Sequence, residues 1–169
     1  MIVLIVDGYN MIGDWPVLKE LKEKSLEEAR AKLVELLAEF QAYMDYQIIV
    51  VFDAYNVKGP ESRETFKKVQ LIYTKENETA DEAIEKLIKE IKNVKTKVYV
   101  ATSDFQEQWT VFSQGALRKS ARELFLEIQR MEKDIQIDLA NNQKLAPKHK
   151  ISLDQDLRSK FEEMRRGRK

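Results

Sequence analysis

The chain has 169 residues, 43% hydrophobic and 34% charged, enough for one domain with a sizeable core. Lys plus Arg and Asp plus Glu each number 29, so the formal net charge is zero, which argues against a protein that grips nucleic acid by bulk charge alone. With no cysteine and a single histidine, His149, the sequence excludes disulfides, thiolate zinc sites, a cysteine nucleophile and a histidine pair within one chain.

Ile2 to Val6 is an unbroken apolar run, the pattern of a strand buried on both faces in a parallel sheet. No basic leader precedes it, and it is too short for a signal peptide or a membrane span, so a cytoplasmic monomer without membrane contact is expected. The run ends in Asp7-Gly8-Tyr9-Asn10. Open α/β folds bind ligands at that edge of the sheet. A carboxylate there is costly unless paired, hydrogen-bonded or bound to metal, and Asn10 can hold a neighbouring carboxylate.

Residues 14–24 read as a polar connection. Ser25 and Glu28 have the spacing of a capping box, and Leu26, Ala29, Leu33, Leu36, Leu37, Phe40 and Met44 continue at helical period. Residues 47–52 form a second buried strand, ending in Asp53. A right-handed crossover brings Asp53 to the same edge as Asp7. Residues 56–65, with Lys58 and Arg63, read as a mobile loop, and 67–74 as a shorter third strand nearer an edge. A second helix spans 77–91, with Thr79 as N-cap, Asp81 in its first turn and Glu82 completing a capping box. Residues 96–101 make a fourth strand, leading to Thr102-Ser103-Asp104.

A short helix is expected over 105–113, stopped near Gly115. A long one follows over 118–136, where Arg118 and Arg122 would share a face. Residues 141–150 form a basic connector and 152–166 a terminal helix, an appendage to a single domain spanning 1–169. From residue 105 onward there are 14 Lys/Arg against 10 Asp/Glu, and before it 15 against 19, so the strand ends lie in the acidic half.

Asp7, Asp53 and Asp104 each follow a separate expected strand, and Asp81 opens a helix. Individually they have plain roles as turn residues, helix caps or complements to a helix dipole. Jointly they put several carboxylates at one edge, where mutual repulsion is best relieved by a hard divalent cation such as Mg²⁺. A cation so placed supports hydrolysis of a phosphodiester.

The ordered set Asp7-Gly8-Tyr9-Asn10-Met11-Ile12, Phe52-Asp53-Ala54-Tyr55, Thr79-Ala80-Asp81-Glu82 and Thr102-Ser103-Asp104 resembles the NYN branch of the PIN-like nucleases, and within it the bacterial YacP group. The run from Gly115 to Leu124 and the Arg165-Arg166-Gly167 ending extend the resemblance over nearly the whole chain. It implies an α/β, PIN-like three-layer fold with a mainly parallel central sheet, flanking helices and C-terminal helices. It also implies a Mg²⁺- or Mn²⁺-dependent endoribonuclease that cuts mRNA on the translating ribosome. Carried over by position, Asp7, Asp81, Asp104, Asp53 and Asn10 form the catalytic set: Asp7, Asp81 and Asp104 would hold the metal, Asp53 matches the acidic or polar position after the second strand, and Asn10 would support them. Glu82 is more simply a capping residue.

Lys58, Arg63, Arg118, Lys119, Arg122, Lys148 and Lys150 are the candidate contacts to RNA or ribosome, and Tyr9, Tyr55 and Trp109 could stack bases. Lysines and arginines on helices are more often plain solvated surface, Trp109 could equally be core, and His149 reads as an exposed connector residue. A receiver domain would also place acids at strand ends, but it needs an early acidic pair and a late lysine that this chain lacks. An aspartyl-nucleophile phosphatase needs an acid at position 9, which is Tyr. A catalytically silent RNA- or ribosome-binding module remains the alternative of a different class.

Overall fold

The computed structural model describes residues 1–54 and 58–145, and the side chains as far as residue 143. By contact the chain divides into two compact units, Met1–Gln129 and Arg130–Lys169. The first holds the whole sheet. The described part of the second continues the last helix. The expected terminal helix over 152–166, together with Lys148, His149 and Lys150, lies outside the described residues.

Six strands form one sheet: β1 Ile2–Asp7, β2 Gln47–Phe52, β3 Ser62–Phe66, β4 Val69–Tyr73, β5 Lys97–Ala101 and β6 Leu117–Lys119. Their order is β3-β4-β2-β1-β5-β6, and every pairing is parallel except β3 with β4. All four strands expected from the sequence are present as parallel strands. The helices are α1 Gly8–Asp14, α2 Pro16–Lys24, α3 Leu26–Met44, α4 Ala80–Ile91, α5 Phe105–Ser113 and α6 Ala121–Leu145. None of the described helices is long and apolar enough to cross a membrane.

The chain steps from β1 to β2 in one direction and from β4 back over to β5 in the other. Right-handed crossovers therefore put α3 on one face and α4 and α5 on the opposite face. The core confirms this. Val3, Ile5, Ile49, Val51, Ile72, Val98 and Val100 cluster with Ile84, Leu87 and Ile88 of α4 and Val111 of α5. Side chains alternate along a strand, so the next residues on that face are Asp7, Asp53 and Thr102. The reversal of direction falls between β1 and β5, the switch point at which open α/β sheets form a crevice.

Three stretches differ from the sequence reading. Residues 14–24 are helix, not connection. Trp15 caps the end of α1 and the start of α2, with Pro16 at the first helical position. Met11, Ile12, Trp15 and Leu18 are buried at helical spacing. The expected loop over 56–65 overlaps β3, whose five residues, Ser62–Phe66, are all exposed and carry no buried face to betray a strand. Its two-residue turn to β4 is Lys67-Lys68, both at positive φ (46° and 76°), without the Gly or Asn that normally marks such a turn. Finally, 117–119 is strand β6, and α6 starts only at Ala121. Arg118 and Arg122 therefore do not share a helix face.

Candidate metal centre

The acidic site is assembled from three elements. Asp7 ends β1 at the switch point, facing α4. A Cβ on Gly8 would collide with the ring of the fully buried Phe52, so the chain can leave β1 at this angle only with glycine. Asp81 is in the first turn of α4, whose start is fixed by a capping box in which the Thr79 hydroxyl accepts from Glu82 N (3.3 Å) and Glu82 reaches back to Thr79 N (3.4 Å). Glu82 is thereby a cap, as its position suggested. The Asp53 carboxylate accepts from Ala80 N (3.4 Å), tying the end of β2 to the same turn.

The third carboxylate is Glu107 on α5, not Asp104. Asp104 is the N-cap of α5, its Oδ1 accepting from Gln106 N (2.9 Å) and Glu107 N (3.3 Å). The cap aims Glu107 inward. Thr102, fully buried, accepts from Asp104 N (3.1 Å) and donates its hydroxyl to Glu107 Oε2 (2.9 Å). Carboxylate oxygens of Asp7, Asp81 and Glu107 all lie within 4.8 Å of one another. Asn10 Oδ1 accepts from Ser103 N (2.7 Å), bridging the turn after β1 to that after β5 across the switch point. Beside the acids, a cleft of about 90 Å³ opens between α4 and α5, lined in part by Asp81, Gln106, Glu107 and Thr110.

The electrostatics are those of crowded, buried acids. Glu107 is 3% exposed, and its Oε1 is buried with no N–H or hydroxyl donor among the described residues, facing only the carboxyls of Asp7 and Asp81. Burial, then repulsion from Asp7 and Asp81, pushes its carboxyl up to about 10. Burial likewise raises Asp7 to about 6; Glu107's carboxyl and the Asn10 backbone amide pull it down, and the charges of Asp81 and Asp53 push it further up. A carboxyl oxygen left without a donor beside two more carboxylates fits a hard divalent cation, for which oxygen-only donors are the natural ligands. Asp7, Asp81 and Glu107 could hold one.

The cations expected to meet RNA are scattered. Lys58 is exposed, and Arg63 on β3 is held by Glu61 at 2.5 Å. Arg118 is exposed, 3.4 Å from Glu123. Arg122 is exposed on α6. Lys119 is buried, paired with Glu127 (2.7 Å) and seated 5.1 Å from the Tyr99 ring centre, so it is held within the fold. Tyr55 lies outside the described residues. Trp109 is not core: it is 63% exposed, on one face of α5 with the equally exposed Phe105 and Phe112.

The family model described as the YacP-like NYN domain matches residues 4–166. The chain belongs to the YacP-like NYN domain family. It is a nuclease-family domain of the PIN-like kind whose acidic cluster is consistent with a metal site. A curated relative, named as the uncharacterized protein YacP of Bacillus subtilis strain 168, is 52% identical over 167 residues, which is 99% of this chain and 98% of the relative. The crystal structure of Rae1 (YacP) from Bacillus subtilis aligns with a TM-score of 0.76 at 51% identity, covering 99% of this chain and 96% of that one. The crystal structure of a point mutant of the same Bacillus subtilis protein aligns with a TM-score of 0.77 at 50% identity, covering 86% of each chain.

Within this family setting, Glu107 is the residue that sequence reasoning missed. Its position three residues after the strand-end Asp104 carried no signal of its own, because a glutamate in the first turn of a helix is ordinary.

Proposed function

We propose that this chain is a Mg²⁺- or Mn²⁺-dependent endoribonuclease that cleaves mRNA presented by the translating ribosome, by attack of water on the phosphodiester. The observation that carries the reading is the convergence of Asp7, Asp81 and Glu107 at the switch point, with Glu107 Oε1 buried and given no N–H or hydroxyl donor. Those three residues would hold the cation. When bound, it would supply Lewis-acid stabilisation of charge on the phosphoryl group. Asp53 and Thr79 hold the turn that carries Asp81. Thr102 and Asp104 orient Glu107, and Asn10 keeps the two strand-end turns together.

Delivery by the ribosome is supported by what the surface lacks. Affinity for an RNA backbone comes chiefly from neutralised phosphates. This chain has no net positive charge, and three of its candidate cations are near acids of their own. Binding to naked single-stranded RNA at physiological salt should fall in the non-specific range, roughly 10⁻⁴–10⁻⁶ M. A second docking contact raises the effective concentration without a stronger site. Lys58, Arg63, Arg118 and Arg122 are the candidate cations exposed for it among the described residues, with Lys148 and Lys150 of the C-terminal connector. The exposed aromatic face of Phe105, Trp109 and Phe112 suits stacking of unpaired bases beside the cleft.

The test is cleavage of one mRNA with and without translation, at matched salt and metal. Cleavage should be strong only during translation, vanish with EDTA and leave 5′-phosphate and 3′-hydroxyl ends. Equal rates in the two conditions would reject dependence on the ribosome, and a 2′,3′-cyclic phosphate would reject attack by water.

A further inference from the structure

The carboxyl edge of the sheet has a second pole, on the face opposite the acids. Tyr9, Phe52 and Tyr73 form a row across the ends of β1, β2 and β4, with ring centres 5.2 Å and 5.4 Å apart. Tyr73 follows Ile72, which belongs to the α4-side core, so by strand alternation Tyr73 faces the α3 side. α3 ends at the amino edge of the sheet, just before β2, and its 19 residues span about 28 Å at 1.5 Å per residue, so it begins at the carboxyl edge. Arg30 is in its second turn. It donates from Nη1 to the Tyr9 hydroxyl (3.1 Å), and its charge acts on the neighbouring Tyr73 hydroxyl.

Arg30 is half-buried, and no carboxylate lies within ion-pair distance of it among the described residues. Here it differs from Arg63, Arg118 and Lys119, which all have an acid within that distance. A guanidinium pinned by a phenol hydroxyl keeps spare donors in a fixed plane, the geometry that suits a phosphate. Tyr9 follows Asp7 by two residues, so Arg30 is anchored to the same strand end that carries the acidic centre, on the other face of the sheet.

We propose that Arg30, with the hydroxyls of Tyr9 and Tyr73, is a subsite for an RNA backbone phosphate of a nucleotide neighbouring the scissile bond. The inference rests on the nuclease reading and adds to it the group that positions the strand. It assigns to the α3 face the attraction that the acidic face lacks. The contact reads phosphate and not base, so its contribution is the same for every sequence.

The test uses a short single-stranded RNA and the Asp7→Asn protein, in which cleavage is blocked. Affinity is measured over a range of salt concentrations, with and without Arg30→Ala or Arg30→Lys. Arg30→Ala should weaken binding about tenfold for all sequences and reduce the slope of log affinity against log salt by about 0.7, the value for one phosphate on a single strand. Arg30→Lys should restore the slope but only part of the affinity, because a point charge replaces a planar fork. Mn²⁺ affinity, measured with the native Asp7, should not change in either variant. An unchanged slope in Arg30→Ala, with or without a lower melting temperature, would show that Arg30 merely braces α1 against α3 and would overturn the subsite. No binding by the Asp7→Asn protein with Arg30 intact would overturn the subsite; the nuclease reading fails only if the native chain also shows no EDTA-sensitive cleavage during translation.

Discussion

Replacing Glu107 by glutamine is expected to lower RNA cleavage by at least about 100-fold and to weaken Mn²⁺ binding, without loss of the metal-free fold. Groups that only support metal ligands typically cost about 10–100-fold when removed, so a direct ligand should cost no less. The fold should survive because the carboxyl of Glu107, pushed up to about 10, is already neutral at physiological pH. The amide keeps its shape, and the Thr102 hydroxyl can donate to its oxygen as it does to Oε2. Asp104→Asn provides the contrast. Asn caps a helix about as well as Asp, so α5 and Glu107 should stay in place and most activity should remain. Full activity in Glu107→Gln, assayed with saturating Mn²⁺, would remove Glu107 from the site; loss in Asp104→Asn with an unchanged melting temperature would restore Asp104 as a ligand.

The second large effect is the pH dependence of the metal-free protein. Asp7 and Glu107 both have folded-state pKa values above their ordinary ones, so the folded chain holds more protons than the unfolded chain. Their contribution to stability is fully present below about pH 4. It is lost as pH rises, through about 6 for Asp7 and onward toward about 10 for Glu107. The slope can reach about 1.4 kcal/mol per pH unit for each extra proton held. Asp7→Asn removes the first of these losses and should stabilise the metal-free protein by roughly 3 kcal/mol at pH 7 but hardly at all at pH 4. Metal binding runs in the opposite sense. Glu107 must give up its proton to become a ligand, so Mn²⁺ affinity should rise by up to about tenfold per pH unit between about pH 6 and 8. Thermal melts with and without Mn²⁺ across that range, with calorimetry in buffers of different ionisation enthalpy, measure both. Mn²⁺ affinity that does not change with pH would show that no buried carboxyl is deprotonated on binding.

These expectations depend on residues of very different visibility in the sequence. Asp7 and Asp53 could be placed because an unbroken apolar strand fixes both where it ends and, by alternation, which face its next residue takes. Asp81 was visible through the capping box around it. Glu107 was not, because a glutamate three residues after a helix cap is ordinary in composition; only the bond from Thr102, across the end of β5, makes it part of the site. The same division separates the strands. β1, β2, β4 and β5 declare themselves by burial. β3 is wholly exposed and β6 has only three residues, so both owe their strand conformation to a neighbour and not to their own sequence pattern. Taking β6 as helix then put Arg118 on a helix face shared with Arg122 that does not exist. The helices of residues 8–24 were obscured by Gly13, Trp15 and Pro16, which suggest a break where the chain in fact turns from one short helix into another.

The chain's two tryptophans occupy opposite extremes of environment. Trp15 is 1% exposed and donates its Nε1 to the Ala121 carbonyl at 2.8 Å, whereas Trp109 is 63% exposed on the helix that carries Glu107. The molecule therefore contains two optical probes that can be separated without labelling. The blue-shifted emission of the shielded indole follows the integrity of the fold. The red-shifted emission of the other is open to collisional quenchers, and it is placed to sense whatever settles against α5. A titration that alters only the quenchable fraction is thus distinguishable, in a single cuvette, from one that unfolds the protein.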